Sequence, residues 1–156
     1  MNNKNKIKLL VLDLDGTLVG ENNQINDSIK NHIKTIQKKG ITVVLATGRM
    51  YQSACRFHRF LELNTPIICY NGAWIENPIT KEKISHISVP LNVTSSLLDY
   101  LQPLVNNKKL EIHFYIEDQL YVQKISNKTE IYMVKSGIKA NVKENLRSFF
   151  YNKRKR

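Results

Sequence analysis

The sequence predicts an α/β fold in which a partial doubly wound parallel sheet is followed by a smaller α+β unit. Three apolar runs, at 7–12, 41–46 and 66–69, alternate with two stretches of helical spacing. Continuous apolar runs are typical of buried strands in parallel sheets, and a β-α-β-α-β order implies right-handed crossovers. After Gly72 the alternation gives way to short paired strands, which indicates a change of architecture.

The first predicted helix begins at Asn26 or Asp27, because both residue types favour the N-cap position. It runs to about Lys39, since isoleucines recur at helical spacing and Gly40 is a good C-terminal stop. A second helix is predicted over 50–61. Each of the three strands ends in a polar turn that contains glycine. These turns are Asp13-Leu14-Asp15-Gly16-Thr17, Thr47-Gly48-Arg49 and Asn71-Gly72.

The part of the chain after Gly72 is predicted to contain shorter elements. They are strands at 73–76 and 84–89, a helix at 91–105, a hairpin joining 110–116 to 120–125, and helical pieces over 128–151. The hairpin is predicted from its period-two alternation, and Gly137 is expected to break the last helical stretch. We therefore expect two units, 1–80 and 81–156.

Composition limits the class of protein. The chain has 156 residues, of which 42% are hydrophobic and 24% are charged, as in globular domains. No apolar stretch approaches the ~20 residues that a membrane span needs, so no membrane partner is expected. With only Cys55 and Cys69 there is no disulfide framework. The expected location is therefore the cytoplasm, a reducing compartment.

The net charge of +11 is concentrated towards the C-terminus, which ends in Lys153-Arg154-Lys155-Arg156. Such a tail could bind nucleic acid. However, lysine, asparagine and isoleucine are abundant throughout the chain, and few aromatic residues flank the tail. We favour a solvated basic tail, and a nucleic-acid-binding module remains the least favoured of three functional hypotheses.

The polar turns are expected to form one site, because ligands bind outside the carboxyl ends of strands in open α/β sheets. Asp13 directly follows the first strand, where a carboxylate can attack phosphorus. Asp15 can give and take a proton, and the two carboxylates can share Mg²⁺. Gly16 lets backbone N–H groups approach an anion, while Thr47 and Arg49 can hydrogen-bond phosphoryl oxygens.

These motifs resemble those of the haloacid dehalogenase (HAD) superfamily. The segment Asp13-Leu14-Asp15-Gly16-Thr17-Leu18 is similar to its motif I, and Ala46-Thr47-Gly48-Arg49 is similar to its motif II. The segment Ile67-Ile68-Cys69-Tyr70-Asn71-Gly72-Ala73 resembles the third strand and turn of the Cof-type branch, which carries a type IIB cap. The resemblance implies a HAD core over 1–80 and a partial cap over 81–156.

The resemblance also implies Mg²⁺-dependent hydrolysis of small phosphorylated metabolites, such as sugar phosphates. Asp13 would be the nucleophile, and Asp15 would protonate the leaving group and then activate water. Asp13 through its side chain and Asp15 through its backbone carbonyl would bind Mg²⁺. The residues implied in phosphate or substrate binding are Gly16, Thr47, Gly48, Arg49 and Asn71.

Two parts of the family pattern have no counterpart that can be assigned. These are a lysine and a pair of acidic residues that follow the cap, so the chain resembles an N-terminal portion truncated within the cap. We expect weak or no turnover, and an exposed edge of the parallel sheet. A catalytically dead remnant or phosphate-binding protein is therefore the second hypothesis. The oligomeric state stays open, since a second copy could cover that edge.

Overall fold

The computed structural model describes residues 6–107 and 110–153, with side chains described only as far as residue 150. It contains two compact units, of which the first ends at Ile87 and the second begins at Ser88. The sequence analysis placed this boundary near residue 80. The basic residues 154–156 lie outside the described residues, so the prediction made for the tail stays untested. No helix in the described ranges is both long and apolar enough to span a membrane.

The first unit is a five-stranded sheet with two helices. Its elements are β1 (Leu9–Leu12), α1 (Asp27–Lys38), β2 (Thr42–Ala46), α2 (Tyr51–Phe60), β3 (Ile67–Cys69), a 3₁₀ turn (Tyr70–Gly72), β4 (Trp74–Glu76) and β5 (Lys83–His86). The strand order is β1-β2-β3-β4-β5. The first three strands pair in parallel, as predicted, whereas β4 and β5 add antiparallel strands.

Both helices of this unit pack on the same face of the sheet. Alternate strand residues are buried there, and they form one cluster with residues of α1 and α2. The cluster includes Ile33, Val43, Leu45, Ala54, Phe57, Leu61, Ile67 and Cys69. On the opposite face, Leu9 and Val11 remain 53% and 50% exposed. The sheet is therefore buried on one side, and β1 is one of its two edge strands.

Helix α1 has the ends that the sequence predicts. Asn26 is the N-cap residue, and its side-chain oxygen accepts a hydrogen bond of 2.8 Å from the N–H of Ser28. Gly40 follows the helix with a φ of 78°, a backbone conformation that glycine adopts without steric cost. The helix connects β1 to β2, which pair in parallel.

A buried histidine lies at the end of α2. His58 is only 2% exposed, and its Nε2 is 2.7 Å from the carbonyl oxygen of Thr65. A carbonyl only accepts hydrogen bonds, so Nε2 carries the proton and donates it to Thr65. Burial lowers the pKa of His58 below its ordinary value of 6.5, and the hydrogen bond to Thr65 opposes part of that shift.

This histidine makes stability depend on pH. The unfolded chain takes up a proton at the ordinary pKa of 6.5, whereas folded His58 stays neutral to lower pH. The contribution of neutral His58 to the free energy of unfolding should be fully present above pH 6.5. Below that pH the free energy of unfolding should fall by up to about 1.4 kcal/mol per pH unit. Urea unfolding between pH 5 and 8 measures it. His58→Gln keeps a donor for Thr65 without titrating, so an equal loss of stability in that variant would contradict the assignment.

The second unit combines a small sheet with three helices. Its elements are α3 (Leu91–Asn106), β6 (Phe114–Ile116), β7 (Gln119–Val122), α4 (Asn127–Ser136), β8 (Ala140–Val142) and α5 (Leu146–Lys153). The predicted hairpin is present, with β6 antiparallel to β7. Gly137 ends α4 with a φ of 71°, as its position indicated. The prediction of only helical pieces after residue 128 was wrong at β8, because three residues are too few to show a period.

Candidate active site

Three loops meet at one edge of the first sheet. They follow β1, β2 and β3, whose carboxyl ends lie at the same edge because these strands are parallel. Asp13 and Asp15 follow β1, Thr47 and Arg49 follow β2, and Asn71 follows β3. The topology therefore brings the loops that carry the predicted site residues to a common edge, which we call the rim.

The loop after β1 is a tight turn built on Leu14. The carbonyl oxygen of Leu14 accepts hydrogen bonds from the N–H groups of Thr17, Leu18 and Val19. The Leu14 side chain is fully buried, which anchors the turn in the core. Gly16 has a φ of 77°, in the region that favours glycine. The turn thereby presents Asp13 and Asp15 on either side of a fixed residue, and both are exposed.

Arg49 binds the carboxylate of Asp15. Its Nε donates to Oδ2 over 2.8 Å, and its Nη2 donates to Oδ1 over 2.5 Å. The same Nη2 also donates to the side-chain oxygen of Asn23 over 2.8 Å. The Arg49 hydrogen bond lowers the pKa of Asp15 below its ordinary 3.8, although partial burial opposes the shift. Asp15 is thus an anion here, and Arg49, which the resemblance implies in phosphate or substrate binding, is hydrogen-bonded to Asp15.

Thr47 occupies a buried position between the loops. It is 5% exposed, and its hydroxyl oxygen accepts a hydrogen bond of 3.1 Å from the N–H of Arg49. Its backbone oxygen accepts from the N–H of Asn71 over 3.2 Å, while the N–H of Tyr70 donates to the Arg49 carbonyl over 3.0 Å. These bonds hold the loops after β2 and β3 together. Because the Thr47 hydroxyl oxygen is the acceptor in its bond to Arg49, the hydroxyl proton can be donated to a ligand on the rim.

Gly48 and Asn71 approach each other closely. A Cβ atom on Gly48 would lie 2.9 Å from the side-chain oxygen of Asn71, so a larger residue there would displace the Asn71 side chain. Tyr70 and Asn71 have φ values of 51° and 55°. Asparagine tolerates this left-handed region, but a bulky tyrosine rarely adopts it. Backbone strain of this kind clusters at functional sites, where neighbouring bonds hold it in place.

The rim offers two oxygen ligands to a hard cation. The described residues contain no group of three or more His, Cys, Asp or Glu side chains that could hold a metal ion. The Asp15 side chain is engaged by Arg49, which leaves the Asp13 carboxylate and the Asp15 backbone carbonyl. Mg²⁺ binds through one or two carboxylates, with water and substrate phosphates as its other ligands. The donor set therefore fits a weak, largely hydrated Mg²⁺ site.

Three residues around Arg49 were not found from the sequence. Besides Asn23, they are Phe57 and Arg56, both on α2. The guanidinium carbons of Arg49 and Arg56 lie 4.8 Å and 4.5 Å from the centre of the Phe57 ring. Asn23 lies in a loop and belongs to no motif. Arg56 and Phe57 lie on the amphipathic helix after motif II and belong to no motif either.

Comparison with known proteins identifies the family of the chain. A sequence profile of haloacid dehalogenase-like hydrolases matches residues 10–156. The 5-amino-6-(5-phospho-D-ribitylamino)uracil phosphatase YitU of Bacillus subtilis is 32% identical over 117 residues, which are 71% of this chain and 43% of that protein. A second Bacillus subtilis phosphatase with the same activity in its name, YcsE, is 32% identical over 83 residues, or 51% of this chain and 33% of that protein.

Solved structures share the fold. A haloacid dehalogenase-like hydrolase from Bacteroides thetaiotaomicron matches with a TM-score of 0.74 at 25% identity, covering 90% of this chain and 53% of that chain. TM0651 from Thermotoga maritima matches with a TM-score of 0.74 at 29% identity, covering 90% and 51%. The chain spans about half the length of these structures and less than half of the two phosphatases. With the profile match over nearly all of its length, the chain belongs to the haloacid dehalogenase-like hydrolases.

Proposed function

We propose that this chain carries the nucleophile and phosphate-binding rim of a Mg²⁺-dependent phosphatase for small phosphorylated metabolites, such as sugar phosphates. The observation that carries the proposal is the tight turn that presents Asp13 and Asp15 at the same sheet edge as Thr47. The relative YitU is named as a phosphatase of a phosphorylated ribitylamino-uracil, which supports this substrate class. We also propose a reducing compartment such as the cytoplasm, where Cys55 and Cys69 would stay as thiols.

In the proposed reaction the Asp13 carboxylate attacks the phosphorus atom of the ester. A bond forms between an Asp13 oxygen and phosphorus, and the bond from phosphorus to the alcohol oxygen breaks. Water then attacks the aspartyl-phosphate, which releases phosphate and regenerates the carboxylate. Asp13 suits this role because its side chain is exposed, and no hydrogen bond holds it within the described part of the chain.

Asp15 would give its proton to the departing alcohol and later accept one from the attacking water. In the present arrangement Asp15 is ionised on Arg49, so this role requires the guanidinium to move towards the substrate phosphate. The Thr47 hydroxyl would donate to a phosphoryl oxygen. Mg²⁺ bound by the Asp13 carboxylate and the Asp15 carbonyl would supply positive charge beside the phosphoryl group.

Hydrolysis of an aryl phosphate by the purified chain, with Mg²⁺ or with EDTA, tests the proposal. We expect Mg²⁺-dependent turnover below the ~1–10³ s⁻¹ of typical enzymes, because the chain spans under half of its relatives. Thr47→Val should lower kcat by about 10²-fold, since it removes a donor to the phosphoryl group. Thr47→Ser keeps the hydroxyl and should retain most activity. Equal rates in Mg²⁺ and EDTA would contradict the proposal.

The second candidate is a phosphate-binding protein without turnover. The observation that favours it is the Arg49–Asp15 ion pair, which holds the proposed proton donor as an anion. In that case inorganic phosphate should bind to the chain, and Thr47→Val should weaken its binding. Aryl phosphate hydrolysis should then not exceed the rate of the Asp13→Asn variant. The two measurements together separate the candidates.

A further inference from the structure

Trp74 lies at the end of the sheet that carries the rim. It is the first residue of β4 and pairs with Cys69, the last residue of β3, just before the loop that carries Asn71. Its side chain is only 6% exposed. No step of the proposed reaction uses this residue. What it contributes to the rim follows from the groups that contact its ring.

A buried glutamate fixes the orientation of the Trp74 ring. The indole Nε1 donates a hydrogen bond of 3.0 Å to Oε2 of Glu76, which is 8% exposed and lies two residues further along the same face of β4. An indole has a single hydrogen-bond donor, so this bond selects one orientation of the ring. On β5, the His86 ring centre and the Lys83 Nζ atom lie 4.5 Å and 4.1 Å from the ring centre. The ring is therefore held both by its polar atom and by its faces.

Two tyrosines connect this ring to the rim loops. The ring centres of Tyr51 and Tyr70 lie 6.0 Å and 6.4 Å from that of Trp74, at distances where aromatic rings attract each other. Tyr51 is the first residue of α2 and follows the loop that carries Thr47. Tyr70 begins the loop after β3, which carries Asn71. Trp74 thus contacts a residue at the end of one loop and at the start of the other.

Local sequence does little to fix either tyrosine. Met50, the N-cap residue of α2, has no side-chain oxygen that could cap the helix. Tyr70 has a φ of 51°, which a bulky residue rarely adopts. Burial, and after it the Glu76 carboxylate, raises the pKa of Tyr51, so Glu76 also lies near this tyrosine. Contacts from outside the two loops are needed to hold both tyrosines, and Trp74 provides one to each.

We propose that Trp74, oriented by Glu76, is a positioning residue for the phosphate site at the rim. This inference rests on the proposed function, because it takes the phosphoryl group to bind beside Thr47. By holding one tyrosine next to each loop, the ring keeps the Thr47 hydroxyl in a fixed place relative to the loop that carries Asn71. A misplacement of about 1 Å in such a group can lower a rate by about 10²-fold, so small shifts matter here.

Calorimetric titration of the 156-residue chain with inorganic phosphate tests this role. Glu76→Leu has a similar size but no acceptor for the indole, so we expect the affinity for phosphate to fall at least about tenfold. Glu76→Gln keeps an acceptor and should retain most of the affinity. Ile33→Ala truncates a buried side chain in the middle of α1, and this control for lost stability should leave the affinity unchanged. Circular dichroism checks that each variant is folded during the titration.

Fluorescence supplies a second readout. Trp74 is the only tryptophan in the chain, so its emission reports on this ring alone. The emission maximum should shift in Glu76→Leu, because the indole loses its hydrogen bond, and it should stay unchanged in Ile33→Ala. An unchanged maximum in Glu76→Leu would show that Glu76 does not orient the ring, and it would refute the inference.

The outcomes separate the inference from the proposed function. If the unmodified chain binds phosphate and Glu76→Leu binds it equally well, the positioning role is refuted while the proposed function stands. If the unmodified chain binds no phosphate, the proposed phosphate site fails, and the positioning role fails with it. Equal losses in Glu76→Leu and Ile33→Ala would indicate a general effect of stability and would also refute the role. Should Glu76→Leu fail to fold, Trp74→Phe keeps a ring without the donor, and unchanged affinity in that variant would refute the role.

Discussion

Replacing Asp13 by asparagine is expected to abolish Mg²⁺-dependent hydrolysis of an aryl phosphate, with a loss of about 10³-fold or more. The amide has no anionic oxygen, so it cannot form the bond to phosphorus, and it is also a weaker ligand for Mg²⁺. The side chain keeps its size and its exposed place at the end of β1. The fold should therefore persist, and the rate of aryl alcohol release measures the loss.

A matched control is available further along the connection between β1 and α1. Glu21 is exposed and follows the same strand, and Glu21→Gln removes one negative charge without touching the rim. That variant should hydrolyse the ester like the unmodified chain. Retained turnover in Asp13→Asn would show that another group attacks phosphorus, and the assignment of the nucleophile would be wrong. Circular dichroism of both variants checks that folding is unchanged.

Sequence reasoning succeeded where the signals are local. The order of strands and helices in the first unit follows from apolar runs, the Asn26 cap and the Gly40 stop, all of which act within a few residues. The rim loops were located correctly for the same reason, because each polar turn directly follows a strand. Parallel pairing then places the turns at one edge, a consequence of topology alone.

The contacts within the rim could not be predicted in this way. Arg49 meets Asp15 and Asn23 across separations of 34 and 26 residues, and no local pattern encodes either distance. A motif names the residue types that bind phosphate, but it does not say which of them hydrogen-bond to each other before a ligand arrives. The left-handed φ at Tyr70 could not be predicted either, because hydrogen bonds to another loop offset the conformational strain.

The two faces of the first sheet also differ in a way that the sequence does not show. The apolar run of β1 is typical of a strand covered on both sides. In the structure both helices pack on one face, so Leu9 and Val11 on the other face are about half-exposed. The same apolar residue type therefore contributes much stability on the buried face and little on the exposed face. Mutation of one leucine on each face separates them.

Leu45→Ala is expected to destabilise the chain by about 3–5 kcal/mol, a large share of the stability of a small domain. Leu45 is fully buried on the helix-covered face, next to β1 and β3, so truncation leaves a cavity that rigid strands cannot close. Leu9→Ala removes the same atoms from a side chain that is 53% exposed, and it should cost less than about 1 kcal/mol. Urea unfolding followed by circular dichroism measures both values. Similar costs for the two variants would mean that the Leu9 face is covered in solution, for example by a second copy, and a concentration-dependent midpoint would then identify that copy as the cover.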